Sequence, residues 1–357
     1  MRVCFIGKYP PNSKLAGGIE KYTEDLLSSN EVEFEPIFFG AHLPVNFTIL
    51  ESPFSSPQLF FDALSKTKAD ILHINIPNPF GEIMLLLHII FKGKRQKIVA
   101  TYHADAPHYT ITSYLADALR MLWLVPLLKL CDKIISTSHQ YAATSFALKM
   151  VMNKVKIVPL GIDTENISLS KSKASGNKII FIGRLYRYKG LNVLLHAFKK
   201  LLNKRDAELF IVGDGPLKEK LVRQTKKLQI ENNVMFTGRL DGKQKNKLLN
   251  ETDIFVLPSI NRGEAFGMSQ LEAMYLCKPV ISTNIKGSGV TFVNKNGETG
   301  IVVEPKNAGQ LANAMLELLN NENLRNKMGK KGRERVLKYF TRDRMIEETI
   351  KIYKSLV

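Results

Sequence analysis

The most informative stretch of this sequence runs Ile254-Phe-Val-Leu257, then through a six-residue loop, to Glu264-Ala-Phe-Gly-Met-Ser-Gln-Leu-Glu272. The apolar run predicts a buried strand, and residues 269–276 have the composition of a helix. Gly267 and Met268 fall where that helix begins, so their backbone amides are expected to be open to an anionic or hydroxyl-rich ligand. The stretch therefore predicts a strand, a loop and a helix that together carry a binding site.

The same alternation of short apolar runs and helix-length segments occupies the chain on both sides. It indicates parallel sheets with helical crossovers. The strands are predicted at residues 3–6, 71–74, 98–101 and 134–137 in the first half, and at 179–182, 209–212, 234–236, 254–257 and 280–282 in the second. The polar residues 168–178 between the halves include four serines and three lysines and are predicted to be an interdomain linker.

The predicted fold class is therefore α/β, with two Rossmann-like parallel-sheet domains. A length of 357 residues is more than a single hydrophobic core usually supports, so two domains are expected. The composition, with 45% hydrophobic and 24% charged residues, is that of an ordinary globular protein. Ligands of parallel sheets bind beyond the carboxyl ends of the strands, so a site is expected in a cleft between two facing domains.

The cysteines and the apolar runs indicate in which cellular compartment the protein is expected. The three cysteines are scattered without a Cys-x-x-Cys spacing, which suggests neither a disulfide framework nor a zinc site and favours a reducing cytoplasm. The amino-terminal apolar run is shorter than that of a secretory signal, and the runs at 83–91 and 118–130 are shorter than the roughly 20 residues of a spanning helix. Neither Asp-x-Asp nor a phosphate-loop motif occurs, so no bound metal is expected.

The net charge of +18 is unevenly spread along the chain. Residues 1–165 carry 16 basic and 15 acidic side chains, whereas residues 166–357 carry 35 and 18. The second half therefore attracts anions such as nucleotide phosphates, anionic lipid head groups or nucleic acid, and charge alone does not choose among them. Lysine-rich helix faces such as 324–338 can equally be interpreted as solvated surface.

Two features of the first half are candidates for the site. Gly17 and Gly18 follow the first predicted strand and open a helix, where the missing side chains would let a phosphate approach the backbone amides. His103, in Thr101-Tyr-His-Ala-Asp105, ends a predicted strand at the expected cleft. A glycine pair or a single histidine is equally structural when taken alone, so both interpretations depend on the other residues.

Cations and carboxylates at the strand ends of the second half suit a charged ligand. Arg184 and Lys189, in Gly183-Arg-Leu-Tyr-Arg-Tyr-Lys-Gly190, are placed to neutralise a diphosphate that gains charge as its bond to a sugar breaks. Glu264 and Glu272 can accept hydrogen bonds from different sugar rings of one donor. Structural alternatives stay open, namely surface cations, a loop charge at Glu264 and helix-dipole stabilisation by Glu272.

Taken together, these residues resemble the retaining glycosyltransferases of family 4, which have the GT-B fold. The match follows the family's order over nearly the whole chain. Its most specific part is the pair of glutamates embedded in Glu-Ala-Phe-Gly and Leu-Glu-Ala-Met, followed by Gly-Arg-Leu with Lys-Gly. The residues that carry the resemblance are Gly17, Gly18, His103, Val158-Pro-Leu-Gly-Ile-Asp163, Arg184, Lys189, Glu264 and Glu272.

The resemblance implies two groups of site residues. In the first group, Arg184 and Lys189 would bind the donor diphosphate. Glu264 would hold the transferred sugar, with His103 beside its anomeric carbon. The second group would line the donor and consists of Gly17, Gly18, Gly183, Arg239, Leu240, Phe266, Gly267, Met268 and Glu272. Within it, Glu272 would hold the nucleotide ribose.

The implied activity is that of a metal-independent hexosyltransferase that retains the anomeric configuration and needs no cofactor. The donor would be a nucleotide sugar, GDP-mannose or a UDP-sugar. The acceptor would be a growing, lipid-linked surface polysaccharide such as O-antigen, capsule or exopolysaccharide. Retaining members of this fold generally lack a convincing enzymic nucleophile, so the resemblance implies none in this chain. In those members the departing phosphate is thought to assist attack on the same face.

The resemblance also implies how the chain is arranged and where it acts. The first domain would span residues 1–168 and the second 178–339, with a helix at 340–357 packing back on the first. The protein would be cytoplasmic, either free or peripheral at the inner face of the membrane. Since the first half is nearly neutral, contact with anionic lipid would need the second half or an amphipathic stretch such as 118–130.

One departure from the family and three other functions have to be weighed. Many members carry Gly-Gly-x-x-Glu where this chain has Gly287-Ser-Gly-Val290, so donor contacts from that loop are not carried over. A basic protein that binds nucleic acid or another polyanion would show basic stretches interleaved with aromatic residues, and the sequence has none. A dinucleotide-dependent oxidoreductase would show Gly-x-Gly-x-x-Gly after the first strand, and its absence argues against that function. A hydrolase or epimerase of the same fold, acting without an acceptor, remains open.

Overall fold

The structure is a computed structural model that describes residues 1–10, 17–38, 48–49, 52–53, 57–105, 111–169 and 176–357. The chain forms two compact units, Met1–Leu160 with Arg342–Val357 and Gly161–Thr341. Residues 170–175 of the predicted linker lie outside the described residues. None of the helices in the described part of the chain combines the length and the apolar character that crossing a bilayer requires.

The first unit is a parallel sheet covered by helices. Its strands are β1 (Arg2–Gly7), β2 (Glu33–Phe38), β3 (Thr48–Ile49), β4 (Ser52–Pro53), β5 (Ile71–Ile76), β6 (Lys97–Tyr102), β7 (Lys133–Ser136) and β8 (Val155–Ile157). Six of them pair in the order β2-β1-β5-β6-β7-β8, and β3 with β4 forms a short antiparallel ribbon. Its helices along this part of the chain are α1 (Gly18–Leu27), α2 (Pro57–Lys66), α3 (Pro79–Lys92), α4 (Ile111–Leu130), α5 (His139–Ala142) and α6 (Phe146–Lys149). Strand β5 is buried along its whole length, as expected for a parallel strand covered on both faces.

The second unit repeats this architecture. Its strands are β9 (Lys178–Ile182), β10 (Glu208–Val212), β11 (Val234–Gly238), β12 (Ile254–Leu257), β13 (Val280–Thr283) and β14 (Gly300–Val303). All pair in parallel in the order β11-β10-β9-β12-β13-β14. Its helices are α7 (Leu191–Leu202), α8 (Lys218–Leu228), α9 (Gly242–Glu251), α10 (Met268–Tyr275), α11 (Val290–Val293), α12 (Ala308–Asn320) and α13 (Glu322–Tyr339). Phe181, Phe198 and Ile254 are fully buried in its core.

Each sheet reverses its strand order once. In the first unit the reversal lies between β1 and β5, and in the second between β9 and β12. The loops that leave two such adjacent strands turn to opposite sides of the sheet, which opens a crevice at the carboxyl edge. This topology places the loops after β9 and β12 where a ligand can enter.

The last helix, α14 (Arg342–Lys354), belongs to the first unit although it ends the chain. Thr349 and Tyr353 are fully buried, and the Tyr353 hydroxyl hydrogen-bonds to Nδ1 of His73 on β5. The second unit ends at Thr341, and the carbonyl of the preceding Phe340 accepts a hydrogen bond from the Ile162 amide at 2.9 Å.

All nine predicted strands are present, and the predicted α/β class with two parallel sheets is confirmed. The predicted helix at 269–276 is α10, shifted by one residue. Strands β2, β3, β4, β8 and β14 were not predicted. The edge strands β2 and β8 carry Glu33, Glu35 and Lys156, so they lack the continuous apolar run that marks a strand buried on both sides.

Candidate active site

Backbone hydrogen bonds connect the loops at the carboxyl edge of the second sheet to one another. The amide of Gly183, after β9, donates to the carbonyl of Val212 at 3.0 Å, and the amide of Gly213 donates to that of Gly238 at 2.8 Å. Gly213 has a φ of +134°, and a Cβ there would lie 2.0 Å from the Gly183 carbonyl oxygen. Because only glycine allows this approach, we interpret Gly213 as the residue that holds the β9 and β10 loops together.

Lys189 and Glu264 form a buried ion pair across the crevice between β9 and β12. Lys189 ends a short 3₁₀ turn after β9, Glu264 lies in the loop after β12, and their side chains are 9% and 8% exposed. The Lys189 Nζ to Glu264 Oε2 distance is 2.6 Å, and the Ser259 hydroxyl donates to the same oxygen at 2.8 Å. Burial by itself would lower the pKa of the Lys189 ammonium, but the Glu264 carboxylate outweighs it and the pKa is raised. Lys189 is therefore a cation at neutral pH.

Arg184 is exposed on the same loop as Lys189. Its guanidinium carbon lies 5.7 Å from the centre of the Tyr186 ring, and its charge acts against the ammonium of Lys189. The structure thus brings the two predicted diphosphate-binding cations to one loop. It also gives Lys189 a carboxylate partner, which the sequence did not predict.

The loop that carries Glu264 contacts α10 and the loop that follows β13. Gly267 caps α10 with a φ of +80°, and a Cβ there would lie 2.7 Å from Leu257 Cδ2. The buried Gln270 amide donates to the Phe266 carbonyl at 2.8 Å. Gly289 donates to the Ala265 carbonyl at 2.7 Å. These contacts fix the backbone conformation of the loop that contains Glu264.

The loop Gly287-Ser-Gly289, which departs from the family pattern, supports the loop that contains Glu264. The Ser288 hydroxyl donates to the carbonyl of Glu264, and Ser288 is 1% exposed. Gly287-Ser-Gly289 therefore supports the glutamate loop through its serine and its backbone, at the position where the family often has a glutamate. Sequence reasoning missed Ser288 because a serine between two glycines is typical of any turn.

Glu272 and the end of β11 form the outer part of this edge. The Glu272 carboxylate accepts a hydrogen bond from Lys245 of α9 at 2.7 Å, with both side chains part-exposed. Gly238 ends β11 with a φ of +72° and is followed by the exposed Arg239 and the half-buried Leu240. Lys245 is a second partner that the sequence did not predict, since 27 residues separate it from Glu272.

His103 lies at the carboxyl end of β6 in the first unit and is 5% exposed. Its Nε2–H donates to Oδ1 of Asn75 at 3.1 Å, and the Asn75 amide donates to the Thr23 hydroxyl on α1 at 2.9 Å. This chain of bonds fixes the ring with Nδ1 unprotonated. Burial lowers the pKa of His103 to about 3, so the imidazole is neutral at physiological pH.

Gly17 and Gly18 begin α1, the helix that also supplies Thr23 to the His103 network. Gly17 is the N-cap with an extended φ of −143°, and its amide donates to the buried Glu20 carboxylate at 2.7 Å. The glycine pair is therefore not required by a left-handed backbone. Within the first unit, the structure places the glycine pair and His103 on adjoining elements.

The predicted site residues thus form two sets, each at the carboxyl edge of its own sheet. Gly17, Gly18 and His103 belong to the first unit, and the remaining residues belong to the second. In the part of the chain that the structure describes, no group of three or more histidine, cysteine and acidic side chains is arranged to hold a metal ion. The charged groups that converge in the second unit are Lys189, Glu264 and Arg184.

Comparisons with known proteins agree with this architecture. Profiles of two protein families match the chain, Glycosyltransferase Family 4 over residues 28–166 and Glycosyl transferases group 1 over residues 163–335. The chain is 31% identical over 340 residues to the O-antigen chain mannosyltransferase C of Escherichia coli, covering 92% of this chain and 88% of that protein. It is 33% identical over 282 residues to the D-rhamnosyltransferase WbpZ of Pseudomonas aeruginosa, with coverages of 77% and 70%.

A solved structure shows the same fold at low sequence identity. HepE of Anabaena in complex with UDP-glucose superimposes with a TM-score of 0.76 and 16% identity, over 99% of this chain and 100% of that one. The two parallel sheets, the family profiles and the relatives therefore lead to one conclusion. The chain belongs to the family 4 glycosyltransferases and has the GT-B fold.

Proposed function

We propose that the protein transfers a hexose from a nucleotide sugar to a growing, lipid-linked surface polysaccharide, with retention of the anomeric configuration. The observation that carries this proposal is the buried Lys189–Glu264 pair, beside Arg184 and at the start of α10. Two cations and a fixed carboxylate at one sheet edge suit a ligand that is both a diphosphate and a sugar. The relatives named as a mannosyltransferase and a rhamnosyltransferase support the hexosyl class.

Each donor group has a matching element in the second unit. Arg184 and Lys189 would bind the diphosphate, and Glu264 with the amides of Phe266, Gly267 and Met268 would hold the sugar hydroxyls. Amides at a helix start suit such a ligand because four N–H groups there lack an intrahelical partner. The other proposed donor contacts in the second unit are Gly183, Arg239, Leu240 and Glu272, the last on the ribose, and Gly17 and Gly18 of the first unit are proposed to bind the donor phosphates.

The reaction proposed needs charge stabilisation and no residue that forms a covalent bond. As the bond from the anomeric carbon to the diphosphate breaks, negative charge grows on the leaving oxygen. Fixed cations aimed at that oxygen stabilise the transition state more than the ground state. Lys189 and Arg184 supply this charge, so we propose that neither a metal ion nor another cofactor is required. The departing phosphate oxygen would take the acceptor hydroxyl proton, and the acceptor would attack on the same face.

His103 is proposed to lie beside the anomeric carbon as a neutral hydrogen-bonding group. Its lowered pKa keeps it uncharged, and its Nε2–H is already donated to Asn75. Only Nδ1 is therefore left to accept a hydrogen bond from a sugar hydroxyl. A neutral imidazole adds no positive charge beside an anomeric carbon that itself becomes positive.

Purified protein incubated with a panel of GDP- and UDP-sugars and with lipid-linked or free saccharides tests the proposal. We expect one donor to be consumed only with an acceptor, in the presence of EDTA, to give a product of the donor's anomeric configuration by NMR. Inversion would overturn the mechanism, and a requirement for metal would overturn the role of the cations. Release of free sugar at the same rate without acceptor would favour the hydrolase.

The location proposed is the cytoplasm, at the inner face of the membrane, because a lipid-linked acceptor and a nucleotide-sugar donor meet there. Fractionation of cells that produce the tagged protein tests this. We expect the protein in the cytoplasm and on membranes, from which salt releases it, and export from the cell would contradict the assignment.

A further inference from the structure

Two neighbouring strands of the first sheet carry polar side chains on the same face. His73 and Asn75 belong to β5, and Thr101 and His103 lie at the end of β6, where Asn75 is the register partner of Thr101. Alternate residues of a strand point to one face of its sheet, so these four side chains share a face. None of them is more than 5% exposed. Since buried polar groups need hydrogen-bond partners, their hydrogens have few places to go.

A chain of three hydrogen bonds connects helix α1 to the His103 ring. The Thr23 hydroxyl of α1 donates to the carbonyl of Ile19, one helical turn earlier, at 2.9 Å. The Asn75 amide nitrogen lies 2.9 Å from the Thr23 hydroxyl oxygen, and the Asn75 carbonyl oxygen lies 3.1 Å from Nε2 of His103. Both connecting side chains are buried, so water does not compete for their hydrogen bonds.

The donors and acceptors of this chain fit together in one direction only. A hydroxyl has a single hydrogen, and that of Thr23 is used on Ile19, so towards Asn75 the hydroxyl can only accept. The NH2 group of Asn75 therefore faces Thr23, and its carbonyl oxygen faces His103. Because that oxygen can only accept, the proton of the neutral ring lies on Nε2 and the lone pair on Nδ1. A backbone carbonyl of α1 thus determines the tautomer of a ring on β6.

Other contacts hold the ring at the carboxyl edge of the sheet. The His103 amide donates to the carbonyl of Ile76 at 2.8 Å. The ring of Tyr22, the residue before Thr23, packs edge-on against the imidazole, with centroids 4.9 Å apart and an angle of 74° between the planes. The Tyr22 hydroxyl lies 3.1 Å from that of Thr101. One turn of α1 therefore supports both the position of the His103 ring and its tautomer.

We propose that Thr23 and Asn75 are positioning residues for the transfer reaction, which hold His103 in the tautomer that presents the Nδ1 lone pair to the sugar. The inference rests on the proposed place of His103 beside the anomeric carbon. The other tautomer would aim an N–H, whose hydrogen carries partial positive charge, at a carbon that itself becomes positive in the transition state. The tautomer therefore decides whether the ring favours or opposes the reaction.

Nitrogen NMR of the isotope-labelled full chain tests the tautomer without any substrate. A ring nitrogen that carries a proton and one that carries a lone pair resonate far apart, and the signals of His103 are those that His103→Gln removes. We expect the Nε2–H form in the wild type at neutral pH. A wild-type ring with its proton on Nδ1 would overturn the proposal. Since no donor or acceptor is added, the result does not depend on whether the protein transfers a hexose.

Thr23→Val keeps the shape of the side chain and removes the hydroxyl. The Asn75 amide can then turn and offer an N–H to Nε2, so we expect both tautomers of His103 in the spectrum. In the transfer assay, kcat should fall at least about tenfold, with a smaller change in the KM for the donor. A role confined to stability would lower the unfolding temperature and leave the tautomer unchanged, and that outcome would overturn the proposal. Mixed tautomers with the wild-type kcat would overturn it as well.

Two further variants serve as controls for Thr23→Val. Thr23→Ser keeps the hydroxyl, so it should restore the Nε2–H tautomer and the wild-type kcat. Thr225→Val is the matched control in the second unit, because Thr225 of α8 is likewise 2% exposed and donates its hydroxyl to a carbonyl of its own helix, that of Val222, at 2.8 Å. It should leave the His103 signals and kcat unchanged. An equal loss of kcat in both valine variants would indicate a general packing effect and contradict the proposal.

Asn75→Asp tests the contact with Nε2 through its charge. A carboxylate in place of the amide favours the imidazolium, so NMR titration should show the pKa of His103 raised from about 3. The other titratable groups beside the ring are Tyr22 and His73, and a charge on His73 would act against one on His103. Transfer by the variant should fall as pH drops through the raised pKa, a step that the wild type should lack. A pKa that stays near 3 would overturn the proposal, as would full activity with a charged ring.

Discussion

Glu264 and Lys189 are buried together, so neither side chain can be removed alone without consequence. Glu264→Gln leaves the Lys189 ammonium buried without its carboxylate, and we expect a loss of about 3–5 kcal/mol in the free energy of unfolding together with loss of transfer. If Glu264 were instead an exposed loop charge, one of the interpretations open from the sequence, its replacement would leave the free energy of unfolding almost unchanged. Urea unfolding and the transfer assay measure the two effects.

The double variant Lys189→Met/Glu264→Gln separates the two effects. It removes both charges, so we expect it to regain much of the lost stability and to stay inactive. Ser259→Ala removes one hydroxyl hydrogen bond to the same carboxylate oxygen and should cost about 1.5–3 kcal/mol, because the acceptor is charged. A single variant that unfolds at the wild-type urea concentration would show that the pair does not stabilise the fold.

The buried histidines make stability depend on pH. Burial lowers the pKa of His103 to about 3, and burial with the nearby His103 lowers that of His73 to about 3. The unfolded chain therefore binds more protons than the folded one between pH 3 and the ordinary histidine pKa of 6.5. Stability is complete above that value and falls as pH drops through this range, by about 1.4 kcal/mol per pH unit for each histidine.

Replacing His103 should flatten this dependence. In His103→Gln we expect the slope of unfolding free energy against pH, measured by urea unfolding between about pH 4 and 7, to fall by one histidine's share. His139→Gln, at an exposed histidine, is the control and should keep the wild-type slope. An unchanged slope in His103→Gln would mean that His103 is not buried as a neutral ring.

At the scale of single elements, Gly267 shows why the loop after β12 has its shape. Its left-handed φ would strain any other residue, and a Cβ would also press on Leu257 at 2.7 Å and Gln270 at 2.8 Å. Gly297 has a similar φ of +75° with nothing within 4 Å. Gly267→Ala and Gly297→Ala should both introduce backbone strain. Because of the added steric contacts, Gly267→Ala should lose about 1–2 kcal/mol more of the free energy of unfolding than Gly297→Ala. Thermal unfolding measures the difference, and equal losses would contradict the steric argument.

The elements could be predicted from the sequence to the extent that each is buried. Central strands such as β5 and β12 form continuous apolar runs, and the sequence located them. Edge strand β2 carries Glu33, Glu35 and Pro36, so its pattern resembles a loop. The candidate residues Lys189 and Glu264 were identified as well, but their contact could not be, because 75 residues separate them and only the parallel pairing of β9 with β12 brings them together. Lys245 and Asn75 were missed for the same reason.

On the scale of the whole molecule, the first unit is discontinuous and the second is not. The second unit is one stretch, Gly161–Thr341, inserted between two parts of the first. Helix α14 completes the first unit by covering a layer of buried polar groups. His73 bonds to Tyr353 and, through Nε2, to the Thr101 hydroxyl at 2.8 Å. Tyr22 of α1 contacts the same hydroxyl at 3.1 Å.

This arrangement predicts opposite behaviour for two fragments. The fragment 161–341 contains its whole sheet and core, so we expect it to unfold cooperatively by itself. The fragment 1–160 lacks α14 and exposes His73, Tyr22 and Thr101 to water, so we expect a broad, weakly cooperative transition. Fusing residues 342–357 to its end through a flexible linker should restore a sharp transition. Tyr353→Phe in the fused fragment should cost about 1–3 kcal/mol, because the ring still packs but Nδ1 of the buried His73 loses its partner. Calorimetry of the fragments gives the comparison, and a sharp transition for 1–160 alone would mean that α14 rests on a unit that is already complete.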